Sequence, residues 1–373
     1  MRRVAIATLW HDAFRSLLLV VGLATAWGLV TVQLGLRRGF ELSSRAILDH
    51  AGGDVWVVAR GVKVIDDGEP VPAGSLAGVV HPCITGKRPI IVDYTQVRRP
   101  DRSLVTVQIV GVDAASHDRI PWAVVAGKPE EIERAGIAGI DAADAEKLGL
   151  TSDGMGQEIH LRSGAVLRVN VVSRGARNFT QTPYLFIDVR TARQVLSLPD
   201  DAATFWALDL REAGCAAEVS GKLRSDTLDA PTRGELALST TTHWIDGSGI
   251  GALLTAGSFM AALVGAAALL QSTMTLVRTH AREIATVRAL GARRGELAAF
   301  VAWQVGVVSI LATVIGLGLA FGVSEVLQST GLSVVVDLHS CLVGLCIAVL
   351  STALAAIVGG RVLGRIDPRE VLE

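Results

Sequence analysis

Two stretches of this chain, Gly247–Val277 and Leu297–Ser324, contain no Asp, Glu, Lys or Arg, and a short basic segment divides them. Leu17–Leu36 and Leu338–Gly360 are two further runs of the same kind. A bilayer core about 30 Å thick needs about 20 apolar residues to be crossed as a helix. In lipid the backbone amides must be paired within the segment itself, so each run is constrained to be helical. As a helix Gly247–Val277 would be about 46 Å long, so it must tilt strongly or project beyond the membrane. Composition agrees. Of 373 residues 50% are hydrophobic and only 19% are charged, against about 25% charged in an ordinary soluble domain. The net charge of −1 gives no basic surplus for nucleic acid.

The loops orient the spans. Arg278–Glu296 carries Arg278, Arg282, Arg288, Arg293 and Arg294 against Glu283 and Glu296, whereas Glu325–Asp337 has no Lys or Arg. Basic loops are retained on the cytoplasmic side, so the first lies inside and the second outside. Arg37 and Arg38 weaken the charge rule for the first span taken alone. Met1–Ser16, with Arg2, Arg3 and Arg15 among apolar residues, reads as a cytoplasmic interfacial helix leading into Leu17–Leu36. That run exceeds the about 7–15 residues of a signal-peptide core, and Arg37-Arg38-Gly39 follows it, so it is expected to be an uncleaved anchor. Leu338–Gly360 is followed by a cytoplasmic tail, Arg361–Glu373. The expected fold is an α-helical membrane protein with four transmembrane helices, both termini cytoplasmic, plus a large α+β extracytoplasmic domain, Arg37–Asp246, long enough for one or two folded lobes.

Within that domain Val55–Ala59, Pro89–Val97 and Leu104–Val112 read as strands, the last two joined at Arg98-Arg99-Pro100-Asp101-Arg102. Ile159–Arg162 and Val166–Val172 form a hairpin around Ser163-Gly164. Tyr184–Ile187 and Thr204–Leu210 are further strands. Asp141–Leu148, Val189–Leu196 and Ala216–Leu223 have helical spacing, and Glu235–Trp244 reads as extended. The layout predicts one α+β lobe from the segment's two ends, with a β-rich lobe inserted at about Gly111–Pro199. Cys83 and Cys215 lie where a disulfide is permitted, but their separation is not legible from sequence. Cys341 and Cys346, in the last span, read as packing residues.

Motifs of catalysis are missing. There is no H-E-x-x-H, G-x-S-x-G or G-x-G-x-x-G after a strand, and no C-x-x-C. His117 and Asp118, with Asp113 nearby, could start a metal site, but without a third ligand at a telling spacing they read as a solvated loop. No G-x-x-x-x-G-K-[ST] occurs; the glycines before Lys87, Lys128 and Lys222 lack the Ser or Thr that would hold Mg²⁺. The chain is therefore expected to be no enzyme, with no metal or cofactor of its own. No charge lies in the span centres, which argues against a proton or ion relay. Gly257, Ala261 and Gly265, and Gly318 and Gly322, recur at four-residue spacing and permit close helix contact within one subunit or across a dimer.

The basic segment itself reads as a short amphipathic helix. Ile284, Val287, Leu290 and Gly291 make one apolar stripe, and Gly291 offers a helix stop. Two surfaces can cover that stripe: the lipid interface, or a groove on a soluble cytoplasmic partner. Glu283-Ile-Ala-Thr-Val-Arg-Ala-Leu-Gly-Ala-Arg-Arg resembles the signature of the FtsX/MacB-like permeases of ABC transporters, and Arg365-Ile-Asp-Pro-Arg-Glu-Val-Leu-Glu resembles that family's C-terminal signature. Gly139–Leu150 is similar to the family's inserted lobe. Asn178-Phe-Thr-Gln-Thr-Pro-Tyr-Leu-Phe is similar to the DevC-type branch. The resemblance implies a homodimeric bacterial inner-membrane permease that works with a separate cytoplasmic ABC ATPase holding ATP and Mg. A periplasmic adaptor is a further partner it allows. It also implies that Glu283, Ile284, Val287, Arg288, Leu290, Gly291, Arg293 and Arg294 meet that ATPase. MacB itself carries a fused ATPase, and this chain departs from that arrangement. The implied substrates are lipids, lipoproteins or amphipathic molecules. An FtsX-like regulator of a cell-wall hydrolase, or a membrane sensor or scaffold, are the alternatives.

Overall fold

In the computed structural model, which describes residues 13–116, 119–279, 286 and 292–363, the chain divides into two units. The first holds four helices long and apolar enough to cross a membrane. They are α1 (Ala13–Ser44), then α6 (Ile250–Thr279), α7 (Arg294–Ser329) and α8 (Leu338–Leu363). The second spans Phe40–Ile250 with Gly331–Ser333.

In the helical unit, α1 is the most enclosed span and α6 and α8 the least. Its core joins Leu23, Trp27 and Val30 of α1 to Leu269 of α6, Val305 and Ala312 of α7, and Ala348 and Ala355 of α8. Small residues set the closest approach. A Cβ on Gly316 would lie 2.7 Å from the Ala24 carbonyl oxygen, and one on Gly28 3.0 Å from that of Gly316, so α1 and α7 cross backbone to backbone there. Gly257 and Gly265 do face α1, at Gln33 and at Ala26 and Trp27. A Cβ on Gly318 or Gly322 would instead meet nothing within 4 Å among the described residues. Helix α1 continues past Leu36 because Arg37 and Arg38 have partners: Arg37 Nη1 donates to Thr255 Oγ1 at 3.2 Å, and Arg38 Nε lies 3.2 Å from Asp337 Oδ2.

The second unit is built on one ten-stranded sheet. Its strands are β1 (Val55–Ala59), β3 (Ile84–Arg98), β4 (Leu104–Val112), β5 (Val124–Ala126), β6 (Ile137–Asp141), β7 (Glu158–Leu161), β8 (Val166–Ser173), β9 (Tyr184–Asp188), β11 (Phe205–Leu210) and β12 (Leu228–Asp229). The order is β12-β1-β11-β3-β4-β9-β6-β8-β5, with β7 pairing β3 and β8. A separate short pair joins β2 (Val71–Pro72) to β10 (Ala202–Ala203). Most neighbours are antiparallel; β4–β9 and β6–β8 are parallel. Alternation sends Val55, Val57, Ile91, Ile109 and Leu185 to one face, under α3 (Val189–Leu196) and α4 (Ala216–Leu223). Trp56, Ile90, Val110, Phe186 and Phe205 go to the other, under α2 (Ala46–Ala51) and α5 (Arg233–Thr242). Both faces are buried, as parallel pairing usually requires. Strand β3 starts earlier than Pro89. Pairing with β4 begins only at Ile90, so the missing Pro89 N–H removes no bond on that side.

Two local expectations are corrected. Glu235–Trp244 is not extended but lies in α5, which runs on into a π turn at His243–Gly247. A capping box starts the helix: Thr232 Oγ1 accepts from the Glu235 N–H at 3.3 Å and Glu235 Oε2 from the Thr232 N–H at 2.9 Å. That box outweighs the weak helix preference of the Thr run behind it. Asp141–Leu148 forms two 3-10 turns, not an α-helix. Gly149, in the left-handed region at φ 76°, ends the run. Cys83 and Cys215 are joined as a disulfide with Cα atoms 6.4 Å apart, tying the approach to β3 to the segment before α4.

Candidate functional site

The basic segment between α6 and α7 is where sequence places the contact with a partner. Glu283, Ile284, Val287, Arg288, Leu290 and Gly291 lie outside the described residues, as do His117, Asp118, Met1–Asp12 and the C-terminal signature. Thr286 is helical and exposed. Arg293 is exposed at the junction, and Arg294 is the first residue of α7.

The ends of the segment are firmly held. Glu296 Oε2 accepts from the Arg293 N–H at 2.9 Å, and the Glu296 and Leu297 N–H groups donate to the Arg293 carbonyl at 3.0 and 3.3 Å. Glu296 thus satisfies a donor at the helix start and places a negative charge at the positive end of the α7 dipole. One turn on, Leu297 and Val301 are buried in the same cluster as Val277 at the end of α6. Helix α8 closes on both. A Cβ on Gly359 would lie 2.6 Å from Thr273 Cγ2 and 3.1 Å from Val301 Cγ1, and one on Gly360 3.3 Å from the Ala298 Cβ. The helix ends on either side of the segment are therefore tightly packed together with α8.

Sequence reading missed Glu296, Thr273 and the Gly359-Gly360 pair. Glu296, three residues after Arg293 at the head of an apolar run, was half of a capping signature. Adjacent glycines late in a span were a signal for close packing. Two of the three lysines set against the phosphate-loop pattern, Lys87 and Lys222, have other partners. Lys87 Nζ donates to the Leu76 and Val79 carbonyls at 3.0 and 2.8 Å, and Lys222 pairs with Glu218 at 2.7 Å. The Asp113 carboxylate accepts from Ser116 Oγ at 2.9 Å, and burial raises its pKa.

Four helices long and apolar enough to cross a membrane, with one α+β domain between the first and second, define a membrane protein with a large domain outside its spans. The description "MacB-like periplasmic core domain" matches residues 16–226, and "FtsX-like permease C-terminal" matches residues 255–368. The chain belongs to the FtsX/MacB-like family of ABC transporter permeases, and its α+β unit is that family's extracytoplasmic domain. Membership implies an ABC ATPase as partner. No curated protein matches the chain. Among solved structures it is similar to the periplasmic region of MacB from Actinobacillus actinomycetemcomitans, at 8% identity and a TM-score of 0.39, over 52% of this chain and 94% of that one. It is also similar to the extracellular domain of the noncanonic ABC-type transporter YknZ from Gram-positive bacteria, at 11% identity and a TM-score of 0.36, over 48% of this chain and 98% of that one.

Proposed function

We propose that this permease converts ATP hydrolysis by a separate cytoplasmic ATPase into movement of its outer domain, and that this movement exports or extracts a lipid, lipoprotein or other amphipathic molecule. The observation that carries the proposal is the packed base beneath the basic segment: Val277, Leu297 and Val301 share one buried cluster, closed by Gly359 and Gly360. The ATPase docks on Ile284, Val287 and Leu290, with Glu283 and Arg288 beside them, Gly291 letting the chain turn close to the partner, and Arg293 and Arg294 at its acidic rim or the lipid. Beyond α6 the chain breaks only at Ser248-Gly249 before the π turn and α5 of the outer domain. In the proposed topology both termini and the basic segment are cytoplasmic in a bacterial inner membrane. The Cys83–Cys215 disulfide supports an oxidising compartment for the domain between the first two spans. Two copies work together, with Gly318 and Gly322 on a face open to a second copy. A periplasmic adaptor is compatible with the outer domain. Nothing in the structure favours a hydrolase regulator or sensor over a transporter.

The test is co-purification of the ABC ATPase with variants of the full-length protein. Burying one aliphatic side chain is worth about 1.5–3 kcal/mol. Val287→Asp should therefore weaken association at least about tenfold, and Thr286→Asp, off the stripe, much less. Should Val287→Asp hold the ATPase as well as wild type does, lipid covers the stripe and the docking assignment is wrong.

A further inference from the structure

The chain passes between its two units at Phe40, at Ile250 and at Gly331–Ser333. Inside the outer domain all of these crossings lead to one loop, Arg174–Pro183, between β8 and β9. The Phe179 ring of that loop sits between two others: Phe40 at the outer end of α1, and Trp244 of the π turn that precedes α6, each with ring centroids 4.8 Å away. At the third crossing, a Cβ built on Gly331 would lie 4.0 Å from Arg177 Nη1 of the same loop.

The loop is in turn fastened to the sheet. Buried Asp141, at the end of β6, accepts through Oδ2 from the Gly175 and Ala176 N–H groups at 2.5 and 2.8 Å. Asn178 Nδ2 donates to Gln108 Oε1 of β4. Gln108 Nε2 donates to Asp66 Oδ1 at 2.7 Å, and Asp66 Oδ2 accepts from Trp244 Nε1 at 3.0 Å. Trp244, Asp66, Gln108, Asn178 and Phe179 thus close a ring of contacts, with Gln108 fully buried in the sheet. These ring contacts and hydrogen bonds give a displacement at Phe40 or Trp244 a continuous packed route to β4. A plain hydrophobic plug would need no carboxylate and no crossing helix on either side of it.

We propose that Phe179 is a positioning residue for transport: the joint through which movement of the first two spans enters the outer sheet. It rests on the mechanical reading above, and its test separates the two. The full-length permease is purified with its ABC ATPase in lipid nanodiscs, with Cys341→Ala and Cys346→Ala and an environment-sensitive dye on Ser103→Cys, at the exposed β3–β4 turn. The readouts are the dye's response to ATP with vanadate, and ATP hydrolysis by the same sample. Phe179→Ala should cut the dye response about tenfold or more while hydrolysis stays within about twofold, and Phe179→Leu should restore most of it. Phe40→Ala removes the same contact from a helix outside the loop and should reproduce the loss; it decides the matter if Phe179→Ala fails to fold. An unchanged response in both alanine variants, or a loss of hydrolysis in step with the response, overturns the joint and leaves the mechanical reading standing. No response in the parent protein overturns the mechanical reading, and the joint with it.

Discussion

Arg88 on β3 and Asp209 on β11 meet as a two-pronged ion pair, Nε to Oδ2 at 2.8 Å and Nη2 to Oδ1 at 2.9 Å. Arg88 is only 4% exposed. Its Nη1 donates to the Ala51 carbonyl and to Ser116 Oγ, both at 3.0 Å, so one guanidinium joins α2, β11 and the 113–116 turn. Removing one partner of a buried pair strands the other charge and costs about 3–5 kcal/mol. Asp209→Ala should destabilise the outer domain by an amount near the lower end, because Asp209 keeps some contact with water. Arg88→Met, which leaves no buried charge, should cost less. Unfolding followed by tryptophan fluorescence checks the order; equal losses would show that the charge is not what matters. The hydrogen bond from Arg88 holds the Asp209 carboxyl below its usual value. Its contribution is complete above the ordinary carboxylate range and is lost as pH falls through the depressed value. Asp209→Asn should flatten that acid limb.

Asp66 behaves in the opposite sense. Burial raises its pKa, against the pull of the Gln108 and Trp244 hydrogen bonds. The folded domain therefore favours the protonated acid. Its stabilising contribution is full below the ordinary carboxylate pKa of about 3.9 and is lost as pH rises through the raised value. Asp66→Asn should remove this slope. Denaturant titrations across that range provide the measurement, and a slope that persists in the Asn variant would assign it to another group.

The crossing of α1 and α7 gives a paired test. Gly316→Val forces a side chain against the Ala24 carbonyl and should cost about 1–3 kcal/mol, seen as a lower melting temperature in detergent. Gly318→Val suffers the same change in helix propensity, but its Cβ meets nothing within 4 Å among the described residues. It should melt like the parent and, if two copies meet there, lower the dimer fraction by light scattering. Equal melting losses at both positions would deny the backbone contact.

Topology and the disulfide can be read together. On the Cys341→Ala, Cys346→Ala background, Ser103→Cys should react with an impermeant thiol reagent in intact cells and Thr286→Cys only after the membrane is opened. The reverse pattern would reject the proposed orientation. The Cys83–Cys215 bond spans 132 residues of sequence, and its removal should cost the outer domain about 2–5 kcal/mol.

The spans were legible because lipid imposes one rule on every residue of a run. Val55–Ala59, Leu104–Val112 and Val189–Leu196 were legible because each carries its own period. What escaped was non-local. Nothing near Tyr184 announces that β9 pairs in parallel with β4, and nothing near Leu228 or Val124 marks those short edge strands. Likewise the charged side chain of Arg88 reads as surface until Asp209 is brought across from a distant strand. The basic segment was the reverse case. Its stripe was plain in the sequence, but whether lipid or protein covers Val287 depends on a partner the chain does not contain.

Strand order also dictates how the protein can be made. Val55 of β1 pairs with Leu208 of β11, so the first strand delivered through the membrane waits for almost the last. Chains are synthesised from the N-terminus, and distant pairings close slowly. Until β11 arrives, β1 and β3 present unpaired edges and their apolar faces. After β11 only α4, β12 and α5 precede the second span, so the sheet closes late in the export of the domain. Biogenesis of this permease therefore has a vulnerable interval, in which an exported half-sheet needs protection from its neighbours.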